Sequence, residues 1–257
     1  MFGRVILALC LFQGVALMPQ GASPRSRTTV SKAATLDPPA VRGAPRAPIF
    51  DQVCQETGIT LSRFMIETAI ANPELSELES IFSSIETASK TISNLVRRSS
   101  ISGLTGYLDS GNINVQGEEQ KKLDVITNDV LKNALRFTGR MGVLASEEED
   151  VPVEVEDERS ERYNKEVLVE QTSGKYVAVF DPLDGSSNVD AGIPTGTIFG
   201  IFEDSQAECD VSDGDVSEAC LQSTLQAGRN LVASGYVLYS SATHLFMTLG
   251  AGTYGFT

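Results

Sequence analysis

The stretch Val177-Ala178-Val179-Phe180-Asp181-Pro182-Leu183-Asp184-Gly185-Ser186-Ser187-Asn188 constrains this chain more than any other. Apolar residues run unbroken into Asp181, which predicts a buried strand. Pro182 and Gly185 then predict a turn, so two carboxylates three residues apart are delivered at the strand's edge. Gly185-Ser186-Ser187 follows with backbone N–H groups, small side chains and two hydroxyls, the donors a phosphate oxygen needs at close approach. Hard oxygen ligands beside such a cradle point to Mg²⁺ chemistry. A bare Asp-x-x-Asp is more often a solvated acidic turn. The apolar lead-in and the Gly-Ser-Ser tail favour the ion-binding reading here.

The same logic recurs at Gly142-Val143-Leu144-Ala145-Ser146-Glu147-Glu148-Glu149-Asp150, a short apolar run that ends in acids. Acidic runs are usually solvated faces. Two such strands side by side in one sheet would nevertheless gather Asp124, Glu147, Glu148, Asp181 and Asp184 into one acidic nest. Like charges in a cleft resist ionisation, so the nest calls for cations. Asp124 comes from a predicted helix, Lys121 to Phe137, with Leu123, Ile126, Val130, Leu131 and Leu135 on one face. It sits beside that face, one turn beyond Glu118 and Glu119.

Elsewhere, Leu61, Phe64, Met65, Thr68 and Ala69 follow helical spacing after Thr60. Pro73-Glu74 is expected to open a second helix carrying Leu75, Leu78, Ile81, Phe82, Ile85, Ala88, Ile92 and Leu95. Residues 103–117 read as a solvated connector or a lid, and residues 151–170 as an exposed charged loop. Strands are predicted at 196–202, 232–239 and 245–249. Between the first two lies a long polar stretch, Glu203 to Gln222, holding Cys209 and Cys220. Loops of that length are usually functional or disordered, and its acids lack the EF-hand order.

The 41% hydrophobic content suffices for an ordinary core. With 34 acidic against 20 basic residues the net charge is −14, which weighs against a nucleic-acid partner. The sole histidine, His244, lies in an apolar run and suggests a packed or surface role, so a histidine-based mechanism has little support. Cysteines 10, 54, 209 and 220 lack the C-x-x-C spacing of a zinc site. Residues 1–18 resemble a secretory signal, too short to span a bilayer stably, and residues 19–50 a basic, Ser/Thr/Ala/Pro-rich transit peptide. The tandem resembles the bipartite leader of proteins bound for plastids enclosed by extra membranes; the alternative is a secreted protein with a disordered basic arm.

From about Leu61 to Thr257 the chain resembles fructose-1,6-bisphosphatase. The blocks that carry the resemblance are Lys121-Lys122-Leu123-Asp124-Val125, Ser146-Glu147-Glu148, Phe180 to Asp190 and Gly228-Arg229-Asn230-Leu231-Val232. Inositol monophosphatase relatives share the Asp-Pro-x-Asp-Gly core alone. The ending Asn188-Val189-Asp190 is more similar to the fructose enzyme than to sedoheptulose-1,7-bisphosphatase. The resemblance implies an α/β fold of αβαβα layers, here mainly its N-terminal helix and sheet half over 51–257, in a homotetramer. It implies Mg²⁺-dependent hydrolysis of the 1-phosphate of fructose 1,6-bisphosphate to fructose 6-phosphate, in the Calvin cycle or gluconeogenesis.

Carried over by position, Glu147, Asp181, Asp184 and the carbonyl of Leu183 correspond to ligands of two or three Mg²⁺ ions, with Mn²⁺ or Zn²⁺ as substitutes. Glu148 and Asp124 correspond to acids that orient or deprotonate the attacking water. Asp184, Gly185, Ser186 and Ser187 correspond to the 1-phosphate strip. Glu118, a third catalytic acid by the same resemblance, stands in the mobile loop where many relatives have Asp. Asn72-Pro73-Glu74 departs from the pattern of AMP-inhibited relatives, whereas Lys175-Tyr176 fits it. Cys209 and Cys220 match two of the three cysteines in the plastid form's regulatory insertion, Leu225 taking the place of the third. A disulfide between them would be open to thioredoxin and worth roughly 2–3 kcal/mol. The family's sugar-binding segment, expected after the Gly252 to Thr257 strand, is not among these residues. The chain therefore reads as an incomplete, amino-terminal part of the enzyme. Alternatives are a non-catalytic subunit that assembles with full-length copies, or a phosphatase for another sugar or inositol phosphate.

Overall fold

Helices form where the apolar residues recur every three to four positions. The structure, a computed structural model, describes residues 45, 46, 48, 58–107, 121–149, 152–154, 174–204, 211–212, 215–216 and 222–257. Helix α1 spans Leu61–Ala71 and buries Leu61, Phe64, Met65 and Thr68; the Thr60 hydroxyl caps it by accepting from the Arg63 N–H. Asn72 ends it, its main-chain N–H donating to the Thr68 carbonyl at 2.8 Å. The Asn72 side chain also holds the Arg46 main chain, accepting from its N–H at 2.7 Å and donating to its carbonyl at 2.8 Å.

The second helix does not start at Pro73 as expected. Pro73–Leu75 forms a 3₁₀ turn, and helix α2 spans Leu78–Arg98. Proline suits the first position of either helix type, and only the position of the next buried residues decides which forms. Leu78, Ile81, Phe82, Ile85, Ala88 and Ile92 are the buried face of α2, while Arg97 and Arg98 meet the negative end of its dipole. Helix α3 spans Lys122–Arg136. Its buried face differs from the expected apolar stripe: Asp124, Thr127 and Asn128 are buried with Leu123, Leu131 and Leu135, while Ile126 and Val130 are half-buried.

The strands are β1 (Met141–Ser146), β2 (Val153–Glu154), β3 (Tyr176–Asp184), β4 (Thr195–Glu203), β5 (Val211–Ser212), β6 (Asp215–Val216), β7 (Leu231–Tyr239), β8 (Thr243–Thr248) and β9 (Thr253–Phe256). Among the described residues seven form one sheet in the order β2-β1-β3-β4-β7-β8-β9, and β5 pairs with β6. β1 and β3 are parallel; every other pair is antiparallel. Two segments expected as loops thus contribute strands: β2 borders β1 as an edge, and a short hairpin interrupts the Glu203 to Gln222 stretch. Two-residue strands leave no readable period in a sequence.

The helices cover one face of the sheet. Phe82 of α2 meets Phe199 of β4 edge-on, with ring centroids 5.9 Å apart, and Phe64 of α1 contacts Tyr254 and Phe256 of β9 at 4.4 and 5.5 Å. A Cβ on Gly235 of β7 would come within 2.7 Å of the Phe199 ring and 2.4 Å of the Phe246 carbonyl, so only glycine leaves room for that ring beside β7. On the opposite face Val143, Ala145, Val177, Val179 and Phe202 form a smaller cluster. β1 and β3 are therefore buried on both faces, which explains their unbroken apolar runs. Further along that face Tyr236 and Leu238 are exposed, and Tyr236 stacks on Phe246 with centroids 5.2 Å apart. No helix among the described residues is long and apolar enough to cross a membrane.

Candidate active site

β1 ends level with Phe180 of its parallel neighbour β3, and the placement of the acids follows from that register. Ser146 of β1 pairs with Phe180 of β3, and the Glu147 N–H extends the ladder by donating to the Phe180 carbonyl at 3.1 Å. Glu147, one residue past the end of β1, thus comes level with Asp181, still in β3, and their carboxyl groups are hydrogen-bonded to each other. A bond between two carboxyls requires a proton on one of them. Asp181 is accordingly held well above the usual carboxylate range, first by burial, then by the Glu147 hydrogen bond and charge, then by the charge of Asp184. Only the Leu183 N–H, donating to Asp181 Oδ1 at 3.0 Å, opposes the shift.

Of the two residues expected to turn the chain, Gly185 does so and Pro182 does not. β3 remains extended through Asp184, but its register against β4 slips: Asp181 faces Ile198 and Asp184 faces Gly196. Three steps on one strand meet two on the other, which is a β-bulge. Residues three apart on a regular strand point to opposite faces, and the extra residue lifts that restriction for the two aspartates. Proline is tolerated at a bulge because no ladder N–H is required there. The Pro182 carbonyl instead accepts a hydrogen bond from the Thr197 hydroxyl at 2.8 Å.

Gly185 takes the left-handed conformation, φ +75°, and starts a 3₁₀ turn over Ser186–Ala191. A side chain there would be strained and would approach Asn188 Nδ2 within 3.0 Å. Ser187 is exposed and Gly185 and Ser186 are half-buried, so the cradle inferred from the sequence is accessible. A buried cation fastens it. Lys121 Nζ donates to the Ser186 carbonyl at 3.3 Å and to Asp190 Oδ2 at 2.8 Å. The Lys121 N–H donates in turn to Asp124 Oδ2 at 2.9 Å, so Asp124 sits at the N-terminus of α3, one residue contact from the Ser186 turn. The sequence showed Lys121 only as part of a block; a lysine that is 6% exposed was not foreseeable from a Lys-Lys pair.

Beyond Glu147, β1 turns through an unforeseen network. The Glu148 N–H donates to Ser146 Oγ at 3.3 Å, Ser146 Oγ donates to Asn128 Oδ1 at 2.8 Å, and Asn128 Nδ2 donates to Glu149 Oε1 at 2.9 Å. Lys132 pairs with Glu149 as well. Asp124 and Asn128, four residues apart and both buried, were the one available signal: polar residues at core spacing on a helix. Glu118, Cys209 and Cys220 lie outside the described residues. His244 lies in β8 with Nδ1 3.0 Å from the Thr257 hydroxyl.

Glu147 and Asp181 therefore meet by direct interaction and Asp184 adds its charge nearby, with the Leu183 carbonyl between the two aspartates in the chain. Among the described residues no three His, Cys, Asp or Glu side chains are already gathered as a group that could hold a metal ion. The donor chemistry still fits a hard divalent cation: all donors are oxygen, and the clustered carboxyls retain a proton where positive charge would be favoured.

The sequence profile "Fructose-1-6-bisphosphatase, N-terminal domain" matches residues 59–257. The protein named "Fructose-1,6-bisphosphatase, chloroplastic" in Triticum aestivum is 47% identical over 203 residues, which are 77% of this chain and 46% of that protein. "Fructose-1,6-bisphosphatase 1, chloroplastic" of Arabidopsis thaliana is 46% identical over 205 residues, 77% of this chain and 45% of that one. The chain thus spans about half the length of the curated relatives it matches. Among solved structures, Leishmania major fructose-1,6-bisphosphatase in holo form superposes with a TM-score of 0.63 at 33% identity, over 77% of this chain and 54% of that one. The apo form gives 0.57 at 29% identity, over 77% and 52%.

Proposed function

This chain belongs to the fructose-1,6-bisphosphatase family through that family's N-terminal domain, and on this premise we propose that it is the metal- and phosphate-binding part of an enzyme that hydrolyses the 1-phosphate of fructose 1,6-bisphosphate. The observation that carries the reading is the parallel register of β1 on β3, which brings the Glu147 carboxyl, just past the end of β1, onto that of Asp181. Glu147, Asp181, Asp184 and the Leu183 carbonyl would hold Mg²⁺, which when bound supplies charge neutralisation of the phosphate and of the departing oxygen. The amides and hydroxyls of Gly185, Ser186 and Ser187 orient the phosphoryl oxygens, and Lys121 holds that turn in place. Glu148 and Asp124 are the acids that position the attacking water and accept its proton. The new bond joins water oxygen to phosphorus, and the bond from phosphorus to the oxygen on the sugar's first carbon breaks.

The chloroplastic names of the relatives support a plastid setting and, with it, a place in carbon fixation. A redox disulfide between Cys209 and Cys220, opened by thioredoxin, and assembly into a tetramer are part of the same proposal. The test is phosphate release from fructose 1,6-bisphosphate with and without Mg²⁺. It uses this chain as it stands and the chain continued to the length of its relatives, each beside an Asp181→Ala control. Absence of metal-dependent release from the continued form would reject the assignment. Release that is faster from sedoheptulose 1,7-bisphosphate or an inositol phosphate would redirect it to that substrate.

A further inference from the structure

The acid-bearing bulge is tethered from behind by a chain of buried hydroxyls that the reaction itself does not use. Thr197 of β4 is 1% exposed and lies between the two residues, Ile198 and Gly196, that face Asp181 and Asp184. Its hydroxyl is therefore opposite the extra residue of the bulge. It contacts two partners, the Pro182 carbonyl at 2.8 Å and the Tyr239 hydroxyl at 2.7 Å. A carbonyl can only accept, so the single Thr197 proton goes to Pro182 and the Tyr239 O–H must donate to Thr197. Tyr239 on β7 also lies beside Ser89 of α2, whose own single proton goes to the Ile85 carbonyl at 2.6 Å. Burial pushes the Tyr239 phenol up to about 12, so it remains a donor throughout the neutral range.

Each of these hydroxyls occupies a position where an apolar side chain of similar size would pack. Burying a hydroxyl is costly unless it is bonded, and here Thr197 both donates and accepts. The bulge has need of the bond, because proline brings no N–H and the ladder loses a tether at that residue. We propose that Thr197 and Tyr239 are positioning residues that set the placement of Asp181 relative to Asp184, and so tune the affinity of the proposed cation site. The proposal rests on the reading of those carboxylates as cation ligands, and it concerns geometry that exists before any cation binds.

The test uses the 257-residue chain and four variants. Thr197→Val keeps shape and removes the bond, Thr197→Ser keeps the hydroxyl, and Tyr239→Phe removes only the outer link. Ile201→Val trims a fully buried residue of the same strand away from the bulge. Amide hydrogen exchange of peptides covering 182–185 is measured in EDTA, and Mn²⁺ affinity by titration calorimetry. Thr197→Val is expected to speed exchange at 183–185 and to weaken Mn²⁺ binding by roughly threefold to tenfold, the worth of one buried hydrogen bond. Tyr239→Phe should fall between it and the parent, Thr197→Ser should restore both readouts to within about twofold, and Ile201→Val should leave both alone. Thr197→Val matching either the parent or Ile201→Val in exchange and affinity overturns the proposal. A parent chain that binds no Mn²⁺ removes the cation reading, while the exchange data in EDTA still decide the tether.

Discussion

Asp181 illustrates how a residue suited to chemistry is costly to the fold. Its carboxyl is buried against Glu147 with Asp184 close by, and all three interactions disfavour its charge. Asp181→Asn should relieve that crowding and raise the melting temperature in EDTA by roughly 2–4 °C, the response of a domain this size to about 1 kcal/mol. The same variant should abolish Mn²⁺ binding, measured by calorimetry; a variant that is both less stable and still binding contradicts the account. Gly185→Ala places a side chain at φ +75° and against Asn188, and is expected to cost about 1–2 kcal/mol in urea unfolding. Tyr239 gives a pH signature. Its folded value lies above the ordinary 10.0, at about 12, so its stabilising contribution is intact below pH 10 and is lost as pH rises toward 12. Tyr239→Phe should therefore flatten the alkaline fall in stability within that window, as read from melting temperature against pH.

Elements are joined by a few large contacts and by one register. Phe64 ties α1 to β9, packing on both Tyr254 and Phe256. Phe64→Ala should cost about 3–5 kcal/mol by denaturant titration, with hydrogen exchange increasing in β9 before it does in β1 or β3. The parallel pairing of β1 with β3 matters more to function, since a one-residue slip would send Glu147 to the other side of the sheet from Asp181. That register is secured from both faces. Leu144, Ala178 and Phe180 pack toward the helices, and Val143, Ala145, Val177 and Val179 form the cluster behind. Helix α3 closes the arrangement: Asn128 reaches the end of β1 through Ser146, while Lys121 reaches the Ser186 turn after β3.

At the scale of the molecule, the net charge of −14 and the clustered acids make divalent cations the expected stabiliser. At a hundredfold excess over its dissociation constant, a ligand specific for the folded state adds about 2.7 kcal/mol, or roughly 5–10 °C for this chain. Mg²⁺ should show that shift in scanning calorimetry where Na⁺ at equal ionic strength does not, and EDTA should reverse it. Equal shifts for both salts would mean general screening and no site. Much of this architecture was readable in advance. The 3.6-residue spacing marked α1, α2 and α3, the apolar runs marked β1 and β3, and Glu147 proved to be a neighbour of Asp181, because two-sided burial and acids at strand ends each leave a local pattern. The start of α2, the edge strand β2, the bulge at Pro182, the buried Lys121 and the Thr197 tether were not readable. Each depends on which distant residue stands opposite, and that is a property of register. By itself, then, the sequence determined which segments become helix or strand and which carboxylates and glycines stand at their ends, since those follow from short-range periodicity and side-chain chemistry. Only the tertiary structure decided that Glu147 bonds to Asp181 and that Thr197 holds the backbone between Asp181 and Asp184. Those contacts exist only once strands far apart in the chain have been set in one sheet at one register.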